Sequence, residues 1–88
     1  MIELGGNIKL DGFDNIEPAK LIVVKKVVGL YTKKISEKHQ DFKEILVILK
    51  STDPYEIEVK LTTDKEDNKT EQGENLFYVL DKVLSKVV

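Results

Sequence analysis

The stretch Glu17–Lys38, EPAKLIVVKKVVGLYTKKISEK, decides the fold. Leu21, Val24, Val28, Tyr31 and Ile35 recur at spacings of three and four, which predicts a helix with one apolar stripe. Val23, Val27 and Leu30 are expected to widen that stripe until the helix can lie flat on a sheet. The opposite face carries Lys25, Lys26, Thr32, Lys33 and Ser36, with Gly29 among them. Asp14 and Asn15 are N-cap candidates, and Pro18 suits the first turn, where no N–H bond is lost. Lysines 33, 34 and 38 near the end complement the negative pole of the helix dipole.

The segments on either side of this helix read as strands. Upstream, Ile2, Leu4, Ile8 and Leu10 alternate, with Gly5-Gly6-Asn7 interrupting, either as a bulge or as a tight turn that makes a small hairpin. Of these, one principal strand over 7–13, preceded by a looser arm at 1–6, is the expectation. Downstream, KEILVILKS at 43–51 is apolar on both sides: Ile45, Val47 and Leu49 are expected to face the helices, Leu46 and Ile48 the other way. After Asp53-Pro54, Tyr55, Ile57, Val59 and Leu61 alternate with polar residues, so the two runs form a hairpin. Residues 69–72 are polar enough for a short edge strand. A second helix is predicted over Asn75–Val87, with Leu76, Leu80, Val83, Leu84 and Val87 inward.

The predicted class is therefore α+β, in the order β-α-β-β-β-α: a four-stranded antiparallel sheet with both helices on one face. The 88 residues are one domain, 1–88, with 34% charged residues and 41% hydrophobic ones. No apolar run is long enough for a membrane span, and the start lacks a basic region followed by an apolar block, so a cytoplasmic protein is expected.

Composition narrows the chemistry. There is no Cys, which removes disulfides, thiolate zinc sites and thiol nucleophiles. His39 is the single histidine, and although Ser36 is near, no acid partner or oxyanion hole accompanies them. Asp64–Asn68, DKEDN, lacks the alternating oxygens, central Gly and distal Glu of a calcium loop. Gly5-Gly6-Asn7 is not followed by a helix bearing Lys-Ser/Thr, so it is no phosphate loop. No enzyme, metal, cofactor or small-molecule substrate is expected.

The charge pattern points elsewhere. All 14 basic residues are Lys, so bidentate guanidinium recognition is not available and anions must be met by ammonium groups and backbone N–H. Net charge is −2, yet residues 17–50 hold eight Lys against four acids, while 51–75 hold three against eight. An acidic protein can still present a basic face. Lys25, Lys26 and Lys33 around Gly29 form a candidate RNA-binding surface, with Lys82 and Lys86 of the second helix added and Tyr78 placed to stack on a base. A glycine inside a helix costs about 1 kcal/mol relative to Ala. Two explanations stay open: close approach of a sugar-phosphate backbone, or room for a neighbouring element with the lysines merely solvating the helix. Leu46 and Ile48, beside Lys60 and Thr62, are a candidate interaction face for a weak homodimer or a bound partner.

The pattern resembles the ribosome hibernation-promoting and ribosome-associated inhibitor family. Pro18-Ala19 opening the first helix, with Lys25, Lys26 and Lys33 on its outer face, is similar to that family's first helix. Asn75-Leu76-Phe77-Tyr78-Val79-Leu80-Asp81, followed by Lys86-Val87, is similar to its Asp-Leu/Met-Tyr-x-Ala-Ile-Asp motif followed by Lys-Leu. The resemblance implies a fold like a double-stranded-RNA-binding domain with an added first strand. It implies binding of small-subunit ribosomal RNA through the outer faces of both helices, at Lys25, Lys26 and Lys33 and also Lys82 and Lys86, which silences or protects idle ribosomes. A protein-interaction or dimerisation module of the same fold is the alternative. A general double-stranded-RNA binder is the third reading; against it, the second helix begins Glu74-Asn75-Leu76 without a lysine cluster.

Overall fold

A computed structural model describes residues 1–88. The long periodic stretch forms α1, Pro18–Lys38. Pro18 occupies its first turn, and Glu17 is the N-cap residue without a side-chain cap, so neither Asp14 nor Asn15 caps the helix. Before it lie β1 (Ile2–Glu3) and β2 (Ile8–Asp11); after it come β3 (Glu44–Thr52), β4 (Tyr55–Thr62), β5 (Glu66–Gly73) and α2 (Leu76–Ser85). Asn75 caps α2, its side-chain oxygen accepting from the Tyr78 N–H at 3.1 Å.

The sheet has five strands in the order β1-β2-β3-β4-β5. This corrects the expected four-stranded antiparallel sheet in two ways. Ile2 and Glu3 pair with Leu10 and Lys9, so the residues before Gly5 add a strand of their own. Strands β2 and β3 are parallel, while the other three neighbouring pairs are antiparallel. The parallel pair follows from α1: a helix joining two adjacent strands returns the chain in the same direction.

Side-chain alternation sorts the sheet into two faces. Leu10, Ile45, Val47, Leu49, Ile57, Val59 and Leu61 point to the helices and share one core cluster with Val24, Val28 and Ile35 of α1 and Leu76, Val79, Leu80, Val83 and Leu84 of α2. Burying each such side chain stabilises the fold by about 1.5–3 kcal/mol. Phe13, in the link from β2 to α1, is fully buried in the same cluster. Gly12 just before it has φ +82°, and a Cβ there would lie 2.4 Å from the Leu49 carbonyl oxygen. Only glycine lets β2 turn this closely past β3.

The inner stripe of α1 is narrower than its hydropathy predicts. Val24, Val28 and Ile35 are buried and Leu21, Val27 and Tyr31 half-buried, but Val23 and Leu30 are exposed, at 40% and 64%. They sit beyond the edge of the surface that the sheet and α2 cover.

Candidate nucleic-acid interface

The outer surface of α1 is built by its helical periodicity. Lys26, Gly29 and Lys33 recur at spacings of three and four on the side opposite Val24, Val28 and Ile35. Lys26 and Lys33 are exposed, and Lys25 is half-buried at the boundary with the core. None of the three has a carboxylate within ion-pair distance, since the ion pairs of the molecule involve other groups. A Cβ placed on Gly29 would meet nothing within 4 Å. No neighbouring element fills the space that a side chain would take.

Thr32 and Ser36 do not offer free hydroxyls beside these lysines. Thr32 is buried and its Oγ1 donates to the Val28 carbonyl at 2.7 Å. Ser36 Oγ donates to the Lys33 carbonyl at 2.9 Å. Instead the face carries aliphatic side chains: Ile22 is 55% exposed, alongside Val23 and Leu30. Val23 and Leu30 were hidden because aliphatics beside a core stripe read as its extension; Ile22 lies on the side of Lys26 and Lys33, opposite that stripe.

Helix α2 runs alongside α1, and its lysines have a different setting. Asp81 faces α1, accepting a hydrogen bond from Tyr31 Oη at 2.5 Å. Lys82 and Lys86 turn to the opposite flank, where both meet Glu71 of β5, Lys82 at 3.8 Å. Glu71 lies opposite Ile57, on the helix-facing side of the sheet, with its side chain 14% exposed. Lys82 and Lys86 are thus separated from Lys25, Lys26 and Lys33 by the Tyr31–Asp81 seam. Tyr78 is exposed on the outer surface with the Lys82 ammonium 5.8 Å from its ring centroid, a cation–π arrangement. Lys34 lies 5.3 Å from the Tyr31 ring in the same manner.

The Tyr31 hydroxyl has its pKa raised. The hydrogen bond to Asp81 is the main cause, with desolvation and the charge of Asp81 adding to it.

On the other side of the sheet, Leu46 and Ile48 are half-buried. Lys9 and Lys60 flank Leu46 across the strands, and Asp11 and Glu58 flank Ile48. Ion pairs Lys9–Glu44 at 3.3 Å and Lys50–Glu58 at 3.1 Å lie on this face. The apolar area is two side chains within a charged lattice.

The largest depression, about 500 Å³, is lined by His39, Asp41, Thr63, Asp64, Lys65, Glu66 and Asp67 among others. No group of three or more His, Cys, Asp or Glu side chains converges there in a way that could hold a metal ion. No helix is long and apolar enough to cross a membrane.

A scan against protein-family models and a search of curated proteins found no match. Among solved structures, the chain is similar to the N-terminal domain of Protein Y from Thermus thermophilus, with a TM-score of 0.63 and 14% sequence identity. The likeness covers 91% of this chain and 87% of that one. At that identity it shows a shared fold.

Proposed function

We propose that this chain is a cytoplasmic ribosome-associated factor of the hibernation type, which binds small-subunit ribosomal RNA through the outer face of α1 and keeps idle ribosomes inactive by occupying them. It performs no chemistry; charge and shape do the work. The observation that carries the reading is the open gap at Gly29 among Lys25, Lys26 and Lys33, which have no carboxylate partners. A helix that accepts the cost of a glycine with open space beside it, and leaves the neighbouring ammonium groups without counter-charges, suits close approach of a phosphate backbone. The resemblance of both helices to the hibernation family supports the same reading, as does the fold shared with the Protein Y domain. Lys82 and Lys86 contribute to the RNA contact only after release from Glu71, and Tyr78 offers a stacking surface beside them.

Gradient sedimentation of lysate tests this. The protein is expected with small subunits at low salt and in the soluble fraction as salt rises, because phosphate contacts release counterions. Recovery in the soluble fraction at low salt would count against ribosome binding.

A second reading, an interaction module, draws on Ile22, Val23 and Leu30, which leave aliphatic surface exposed on α1. The Leu46/Ile48 face is its other candidate surface. A dimer abolished by Leu46→Lys would favour that face.

A further inference from the structure

The two edges of the sheet are protected unequally. At one edge, β1 is two residues long, and a short edge strand gives an incoming strand little to pair with. At the other, β5 runs eight residues, Glu66–Gly73, in unbroken register with β4. It contains no proline and no bulge, and no strand pairs with its outer edge. Its protection is charge alone, and the charges are arranged in a particular order.

Register with β4 sorts β5 into two faces. Asp67, Lys69, Glu71 and Gly73 lie opposite Leu61, Val59, Ile57 and Tyr55, on the helix side; Asn68, Thr70 and Gln72 lie on the open side, opposite Lys60, Glu58 and Glu56. A second copy added antiparallel about a two-fold axis perpendicular to the sheet brings like faces together, so the axis must fall on one residue. Centred on Lys69, the pairing opposes Lys69 to itself and Asp67 to Glu71, like charges throughout. Centred on Glu71, it opposes Glu71 to itself. Centred on Asn68, it matches Lys69 with Asp67 but leaves Glu71, Gln72 and Gly73 without partners inside the strand. Centred on Thr70, it opposes Lys69 to Glu71 twice, Asn68 to Gln72 twice, and Thr70 to Thr70. Opposite charges and hydrogen-bonding polar pairs directly across an antiparallel ladder are the stabilising combinations. Within one copy Glu71 is paired with Lys82 and Lys86, and Lys69 with Asp67 at 3.6 Å, so the Lys69–Glu71 pairs between copies join two existing charge clusters on the helix side of the edge.

We propose that β5 is a self-association edge: two copies of this chain pair β5 to β5, antiparallel and centred on Thr70, to form one continuous sheet. Like charges reject the Lys69- and Glu71-centred registers, and lost pairing length rejects the Asn68-centred one. The pairing is independent of the RNA reading, since Lys25, Lys26 and Lys33 take no part in it.

The chain has no cysteine, so single cysteines report the register cleanly. Sedimentation velocity of the full chain from micromolar to millimolar concentration should show a monomer–dimer equilibrium. On mild oxidation Thr70→Cys should cross-link rapidly to a covalent dimer, because facing Cβ atoms in such a pair lie about 4.5–5.5 Å apart, close to disulfide distance. Asn68→Cys should cross-link far more slowly, its two copies being displaced by four residues, roughly 13 Å. Lys69→Glu, which sets a new carboxylate against Glu71 twice, should raise the dimer dissociation constant at least about tenfold. Circular dichroism checks that each variant is folded. A wild-type chain that stays monomeric to millimolar concentration overturns the proposal. So does cross-linking of Asn68→Cys as fast as Thr70→Cys, or a dimer indifferent to Lys69→Glu.

Discussion

Asp81 and Lys82 are adjacent in α2 and serve opposite flanks of it: Asp81 accepts the Tyr31 hydroxyl from α1, while Lys82 reaches Glu71 of β5. The division separates the basic residues of the two helices into an α1 group without carboxylate partners and an α2 group tied down by Glu71. Glu71 thereby becomes a restraint on how much basic surface the protein presents.

Glu71→Gln should release Lys82 and Lys86. These pairs lie at the surface on their lysine side, so the stability lost should stay below about 1 kcal/mol in a denaturant titration. Binding to small subunits at low salt should strengthen and its salt dependence steepen, because two further ammonium groups become available to phosphates. Unchanged binding would mean that the α2 lysines lie outside the contact.

Tyr31→Phe removes the hydroxyl that joins the helices and should cost about 0.5–1.5 kcal/mol in chemical denaturation. The pH dependence has a definite sign. The folded-state pKa of Tyr31 is raised, so its contribution is fully present below the ordinary tyrosine value near 10 and is lost as pH climbs through the higher folded-state value. Tyrosinate absorbance should show one ring titrating late in the wild type, and Tyr31→Phe should lack both that late step and the associated alkaline loss of stability.

Gly29 separates folding from binding. With φ negative and open space around its Cβ position, Gly29→Ala should stabilise the isolated protein by about 1 kcal/mol. Gly29→Gln should also leave the fold intact, yet weaken ribosome binding by filling the gap between Lys26 and Lys33. Tight binding by the Gln variant would remove the close-approach argument.

Gly12 is the opposite case. Its positive φ and the 2.4 Å approach of a Cβ to the Leu49 carbonyl mean that Gly12→Ala strains backbone on both strands. A loss of about 1–3 kcal/mol is expected, seen as a lower melting temperature.

Much of this architecture was readable from residue order. The stripe Leu21, Val24, Val28, Tyr31, Ile35 marked α1 because a 21-residue helix repeats its period several times. The alternation from Tyr55 to Leu61 marked β4 for the same reason. Strand β1 was only half readable: Gly5-Gly6-Asn7 admitted a hairpin turn, but a two-residue strand cannot establish a period against a loose arm. Val23 and Leu30 misled because hydropathy reports side-chain chemistry, whereas exposure depends on how far the sheet and α2 reach around the helix. The restraint on Lys82 and Lys86 is written in the sequence less directly, through strand parity over Glu66–Gly73, which sets Glu71 opposite Ile57, on the helix side of the edge strand. A carboxylate there must find a cation, and the α2 lysines are the nearest available.

The most direct test of the account is binding of the purified protein to purified small subunits across a salt series, comparing wild type with Lys25→Glu/Lys26→Glu/Lys33→Glu. The wild type should bind at low salt with a logarithmic slope of about one unit per phosphate contact, and the variant, folded by circular dichroism, should lose binding and most of that slope. A folded triple variant that binds with wild-type affinity and slope would contradict the assignment of the α1 face.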